Sequence, residues 1–182
     1  MHRLPEGYLS SRSARLYETT TAWLYQAGMG SYVVWRLARA IAASGAASVL
    51  ELGCGPGHFL AALSRQAPAT RVAALELSPF MLELAGRRAP GARLVHADIA
   101  GFELGEAFDA VVAVHVFGHV PRPWALRALE RARGHLAPGG RLHVLEHAWH
   151  RLPSPPMGLR LANSERFLGG LLLHRTFEST IE

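Results

Sequence analysis

Apolar positions along this chain change their period several times, and each change marks an element. Between residues 12 and 43 they recur every three to four positions. Tyr17, Trp23, Leu24 and Ala27 share one helical face, Val33, Val34, Leu37, Ala38 and Ile41 share a second, and "GMG" at 28–30 punctuates between them. The spacing predicts two helices. From Ala47 to Leu52 the pattern becomes a short, nearly continuous apolar run, as in a buried strand. Gly57 to Gln66 reads as helix and stops before Pro68, and Arg71 to Leu77 reads as a second strand. Ser78-Pro79 then opens a helix, since serine caps an N-terminus and proline suits its first turn.

The alternation continues with "ARLVHAD" as a third strand and Phe108 to Val116 as a fourth. The fourth is almost wholly apolar, as a strand covered on both faces should be. Pro123 to Leu136 is a helix ended by "APGG", and Arg141 to His147 is a fifth strand. Two helices followed by five strands, with helices between most of them, predict an α/β fold: a doubly wound, mostly parallel sheet. After the proline-rich loop "RLPSPPMG" the pattern weakens. Leu159 to Phe167 reads as helix, "GLLL" as a short extended piece, and Arg175 to Glu182 as the start of another helix.

Composition narrows the picture. A length of 182 residues, 49% of them hydrophobic, fits one domain with one core. The single cysteine, Cys54, excludes an intrachain disulfide and fits a reducing cytoplasm. All 19 basic residues are arginine, and the net charge is +5. The arginines are scattered and not interleaved with aromatics, so they read as solvated surface and not as a nucleic-acid site. The start, "MHRLPEGYLSS", lacks the apolar core of a signal peptide, and "FLGGLLLH" is too short for a membrane span.

The candidate chemistry begins at "VLELGCGPGHF", Val49 to Phe59. In an open parallel sheet, ligands bind beyond the carboxyl ends of the strands, where strand order reverses. Gly53 and Gly55 permit backbone angles closed to other residues and leave main-chain atoms approachable, and Gly57 lets the following helix pack closely on the strand. The spacing G-x-G-x-G, with Glu51 two residues earlier, differs from the G-x-G-x-x-G of dinucleotide sites, which disfavours a nicotinamide-dependent oxidoreductase. Glu76 closes the second strand 19 residues after Gly57, where a carboxylate can accept hydrogen bonds from both hydroxyls of a ribose. "HAD" at 96–98 closes the third.

These stretches, with "LSPFML", "FDAVVAVHVFGHVPRP" and "LAPGGRLHVLEH", resemble the class I S-adenosylmethionine-dependent methyltransferases, nearest the small-molecule, quinone-biosynthesis-like branch. The resemblance covers about residues 12–150. It implies a Rossmann-like fold and transfer of a methyl group from S-adenosyl-L-methionine to a small-molecule acceptor by in-line displacement. It places Glu51, Gly53 and Gly55 at the cofactor's amino-acid end, Glu76 on its ribose, and Leu77, Asp98 and Ile99 around its adenine. His115 would contact cofactor or substrate, and His119 is the candidate general base. Tyr17, Trp23 and Tyr25 are candidates for a substrate wall. Cys54 reads as packing, and His147 with His150 lack an evident third metal ligand, so no metal is expected.

The expected organisation is a single domain over residues 1–182: a helical cap at 12–43, a cofactor-binding core at 47–150 and an incomplete extension at 151–182. The family continues into an antiparallel sixth and seventh strand, which have no sequence left on this reading. The fifth strand would then be an exposed edge inviting homo-oligomerisation. The missing strands also motivate an alternative: a non-catalytic protein that binds S-adenosylmethionine or S-adenosylhomocysteine, or a partner subunit.

Overall fold

A computed structural model of the chain describes residues 9–26, 29–150 and 152–180. Two helices lead, α1 (Ser11–Gln26) and α2 (Met29–Ala43). The alternating core follows: β1 (Ser48–Leu52), α3 (His58–Gln66), β2 (Arg71–Glu76), α4 (Pro79–Arg88), β3 (Arg93–His96), β4 (Phe108–Val114), α5 (Arg122–Gly134) and β5 (Leu136–His147). The chain then runs through β6 (Leu159–Phe167) and β7 (Leu172–Ser179). All seven strands form one sheet in the order β3-β2-β1-β4-β5-β7-β6. The first five are parallel, and β7 runs antiparallel to both β5 and β6.

Each face of the sheet has its own core. On one side Val49, Val72, Ala74 and Val112 pack beneath α2, α3 and α4, through Val33, Val34, Leu37, Phe59, Leu60 and Ala85. On the other, Leu50, Leu52, Leu75, Val111 and Val144 meet Ala125, Ala128, Leu129 and Ala132 of α5. Among the described residues no helix covers that second face between β3 and β4. There Ile99 and Phe102 of the connecting loop close the core. The predicted cap of α4 is present, with Ser78 Oγ accepting from Met81 N at 3.3 Å and Pro79 in the first turn. Asp109 ties the amino end of β4 to β1, its Oδ2 accepting from Ala47 N (3.0 Å), Ser48 N (2.8 Å) and Ser48 Oγ (2.9 Å). Among the described residues no helix is long and apolar enough to cross a membrane.

The C-terminal expectation is overturned. The sixth and seventh strands are present, and residues 159–179 form a hairpin where sequence periodicity suggested helices. Its turn, Leu168–Gly170, carries Gly169 at φ 64° and Gly170 at φ 93°, the backbone a tight hairpin requires. The signal was missed because β6 is an edge strand, exposed at nearly every position, and so shows no apolar alternation. β7 pairs the C-terminal part of β5, from Arg141 to His147. The free edge on this side is β6, not the fifth strand. Strand β5 also begins earlier than expected, because its register on β4 skips from Leu136 to Arg141 and loops out "APGG" as a bulge.

Candidate functional site

Strand order reverses at β1: the chain winds outward through β2 and β3, then returns to lay β4 on the opposite side. A cavity of about 460 Å³ opens there, at the carboxyl ends of β1, β2 and β4. Its floor is the glycine loop. Cys54 N donates to Leu75 O at 2.9 Å, which pins the loop to the end of β2. Gly55 lies at φ 52°, and a Cβ there would meet no protein atom within 4 Å, so its backbone faces open space. Gly57 has a different reason to be glycine: a Cβ would come 2.9 Å from the Cα of Ala85. The close approach it permits is to α4, not to the strand as the sequence suggested.

Three carboxylates border the cavity. Glu51, next to last in β1, is only 2% exposed, and its Oε2 has no hydrogen-bond partner among the described residues. Burial, and then the neighbouring charge of Glu76, pushes its pKa well above the usual carboxylate range. Glu76 closes β2 and is held at both ends: Oε2 accepts from Gly55 N at 2.9 Å and Oε1 from Ser78 N at 2.8 Å. Burial raises its pKa, opposed by those backbone N–H groups. Asp98 is exposed at the rim, and its Oδ1 accepts from Ala100 N at 2.8 Å, so it also caps its own turn. Leu77, 52% exposed, and buried Ile99 supply apolar surface at that end of the cavity.

The opposite end is built of histidine. His115 follows β4 in a left-handed conformation, φ 53°, unusual for a side chain of its size, and its N–H donates to Leu145 O at 2.8 Å. Its ring lies 4.7 Å from that of His147, which stacks on Trp149 at 4.4 Å. His119, on the 3-10 turn Phe117–His119, lines the cavity and presents its ring edge-on to His150 at 6.5 Å. Burial, then His147, His119 and His150, lowers the His115 pKa to about 3. Burial and His150 lower that of His147 as well.

Sequence reasoning missed the buttress behind this wall. Glu146 is 2% exposed and accepts a hydrogen bond from His150 Nδ1 at 2.7 Å. His150 in turn lies against Gly118, where a Cβ would fall 2.0 Å from Nδ1. The signal was available: an acid in a strand otherwise buried, four residues before a histidine.

The structure brings Glu51, Gly53, Gly55, Glu76, Leu77, Asp98, Ile99, His115 and His119 to this one cavity; Gly57 supports it from behind. Tyr17 of α1 and Val34 of α2 line it too, while the side chains of Trp23 and Tyr25 lie outside the described residues. Arg88 joins the leading helix to the loop, pairing with Glu18 and donating to Pro56 O at 2.6 Å. Cys54 is buried in the floor, and burial raises its pKa, which leaves it an inert thiol. Among the described residues no group of three or more His, Cys, Asp or Glu is arranged to hold a metal ion.

Comparison with known proteins yields a match over residues 49–140 to a family model described as a methyltransferase domain. A trans-aconitate 2-methyltransferase from Methylobacterium nodulans is 37% identical over 126 residues, covering 64% of this chain and 48% of that protein. A dTDP-3-amino-3,6-dideoxy-alpha-D-glucopyranose N,N-dimethyltransferase from Streptomyces fradiae is 41% identical over 106 residues, covering 57% of this chain and 40% of that protein. The chain thus spans about half the length, or less, of these curated relatives, and neither is a quinone-biosynthesis enzyme. Among solved structures, a TehB-like SAM-dependent methyltransferase from Corynebacterium glutamicum superimposes with a TM-score of 0.75 at 24% identity, over 94% of this chain and 100% of the other. The N-methyltransferase NodS from Bradyrhizobium japonicum, in complex with S-adenosyl-l-homocysteine, does so with 0.68 at 19%, over 81% and 86%. Those two likenesses concern the fold.

Proposed function

The chain belongs to the methyltransferase-domain family, and from that premise we propose that it transfers a methyl group from S-adenosylmethionine to a small-molecule acceptor. The observation that carries this reading is the cradle of Glu51, Gly55 and Glu76 at the strand-order reversal. The residues present fit that cofactor. A buried carboxylate oxygen without a partner, Oε2 of Glu51, suits an ammonium group. Gly55 offers backbone where a side chain would otherwise fill the space. Glu76 is oriented by two amides yet keeps lone pairs for two ribose hydroxyls. Gly53 would add backbone contact, and Asp98, Leu77 and Ile99 would flank the adenine.

When bound, the cofactor supplies an activated methyl on a sulfonium, so the protein's task is to orient and desolvate. Tyr17 and Val34 from the leading helices help enclose the cavity, and His115 and His147 wall its far end. His119, which lines the cavity, would take a proton from the acceptor. The rival reading of a non-catalytic binding protein drew its support from absent strands, and β6 and β7 remove that support. We assign self-association to the β6 edge; a monomer at every concentration in analytical ultracentrifugation would remove that part. The single buried Cys54 suits a reducing cytoplasm.

Calorimetric titration with S-adenosylhomocysteine and with NAD tests the cofactor. Binding of the first alone is expected, and binding of NAD alone would overturn the reading. Radiolabelled methyl transfer from S-adenosylmethionine to a metabolite extract then tests the activity. Tight cofactor binding with no labelled product in any fraction would refute catalysis.

A further inference from the structure

We propose that the C-terminal hairpin carries a metal site of its own, in which His143, His174 and Thr176 hold a divalent, zinc-class ion that clips β7 to β5. The proposal stands apart from methyl transfer. It comes from a second cavity, of about 370 Å³, on the sheet face beneath α2. The strands pair there so that His143 of β5 lies opposite Thr176 of β7, and Glu165 of β6 opposite His174. Residues two apart on a strand share a face, so His174 and Thr176 line the same cavity as His143. His143, His174 and Thr176 are only 7%, 9% and 8% exposed, behind a wall of Val33, Leu37 and Ala40 from α2.

The spacing of the three polar atoms points to a metal. His143 Nδ1 stands 3.3 Å from His174 Nε2, and Thr176 Oγ1 stands 3.4 Å from each. All three separations exceed the roughly 2.7–3.2 Å of a well-formed hydrogen bond. Together they make a nearly equilateral triangle, which is the face of a tetrahedron. Ligands bonded to zinc at about 2.0–2.1 Å lie about 3.3–3.4 Å from one another in that geometry. A proton shared between the two ring nitrogens satisfies that pair and leaves the hydroxyl long on both sides, whereas a cation satisfies all three. Imidazole nitrogen suits zinc, copper or nickel better than magnesium or calcium. Water from the cavity would complete the tetrahedron.

The surrounding charge is compatible with a cation. Burial disfavours the protonated form of both rings, which keeps them in the neutral form that binds metal. Glu165 acts against burial at His174 and favours positive charge there. Arg141 opposes it at His143, but is itself paired with Glu178 at 3.1 Å, while Arg36 lies over the Phe167 ring at 5.3 Å. The site is distinct from the histidines of the cofactor cavity. His143 precedes His147 by four residues, roughly 13 Å along β5.

The test is titration of Zn²⁺ into the whole protein, free of any affinity tag and dialysed against a chelator. The readouts are the carbon–proton NMR signals of the histidine rings and the melting temperature. The first equivalent is expected to shift the His143 and His174 rings before those of His115, His119, His147 and His150. It should also raise the melting temperature, since an ion that binds only the folded chain stabilises it. Losing a group that merely orients a metal ligand weakens binding about 10–100-fold, so His143→Phe should cost about 100-fold and Thr176→Val about 10-fold in Zn²⁺ affinity. Should the phenylalanine variant fail to fold, the valine variant, which keeps the shape of threonine, and the ring signals of the parent protein decide. Zn²⁺ that shifts only the histidines of the cofactor cavity, affinity unchanged in the folded variants, or no shift of any ring at an excess of Zn²⁺ would each overturn the proposal.

Discussion

Replacing Glu76 with alanine separates cofactor binding from folding. In the native structure its two oxygens hold Gly55 N at 2.9 Å and Ser78 N at 2.8 Å, and the proposed ribose would add two further donors. Hydrogen bonds to a charged group contribute about 1.5–3 kcal/mol each, and hydroxyls left unpaired regain water in the free ligand. Losing both ribose bonds should therefore weaken binding by roughly 2–4 kcal/mol, which is about 30- to 1000-fold in Kd. Stability should change far less. The two amides lose their acceptor, but a carboxylate whose burial is unfavourable goes with it. Glutamine is no rescue, because either orientation of its amide sets an NH₂ against Gly55 N or Ser78 N. The assay is calorimetric titration of S-adenosylhomocysteine at fixed pH and salt, with thermal melting followed by circular dichroism. Affinity should also fall as pH drops through the raised Glu76 pKa, since protonation turns an acceptor oxygen into a donor. An alanine variant that melts normally and binds within threefold of the parent would refute the ribose assignment.

Gly55→Val should abolish that binding while the fold survives, because the new side chain enters the open cavity; the left-handed backbone costs only about 1–3 kcal/mol. Normal affinity would mean that the ligand does not touch the loop. Asp109→Ala should lower the free energy of urea unfolding by roughly 2–4 kcal/mol, since three donors on Ala47 and Ser48 lose one acceptor. An unchanged midpoint would show that water replaces it without loss. Gly118→Ala should displace His150 from Glu146 and destabilise by about 1–3 kcal/mol, through a buried carboxylate left unsatisfied. Retention of the pairing in a crystal structure of the variant would contradict this. Stability should fall on acidification, because His115 and His143 sit at about 3 against an ordinary 6.5, so the unfolded chain binds more protons between those values. The raised carboxyls Glu51, Glu76 and Glu146 act in the opposite sense above 4.5, so the steep loss belongs below that pH; a His143→Phe variant with the same slope there would refute the assignment.

How much was legible depended on burial. The strands β1, β2 and β4 lie under helices on both faces or under a packed loop, and their apolar runs named them without ambiguity. The face Val33, Val34, Leu37, Ala38 and Ile41 is buried throughout, as its spacing required. The glycine loop and Glu76 followed from position, since residues that end parallel strands meet at one edge of the sheet, whereas Leu77, Asp98, Ile99 and His115 came from the family resemblance. Legibility failed where apolar pattern and burial part company. Strand β6 is solvated on both sides, and β7 buries His174 and Thr176 beside His143, polar residues that hide a strand's inward face. The pair of Glu146 and His150 left a signal, an acid within a buried strand four residues before a histidine, but the signal did not show the pairing. A buried acid looks like any other until its partner is seen folding back across a turn.

The distribution of unfavourable features argues for what the molecule was shaped to do. At the amino ends of the strands local demands are met: Asp109 satisfies Ala47 and Ser48, and Glu106 pairs with both Arg71 and Arg93. At the carboxyl ends they are not. Glu51 is buried with an oxygen lacking a partner among the described residues, and His115 adopts a left-handed backbone. Nearby, Glu146 keeps a carboxylate beneath the ring cluster. Each costs folding free energy, and none is required by the sheet, whose register is already set by pairing from Val49 to Leu52. A cationic ligand settling against Glu51 would recover much of the cost of burying it.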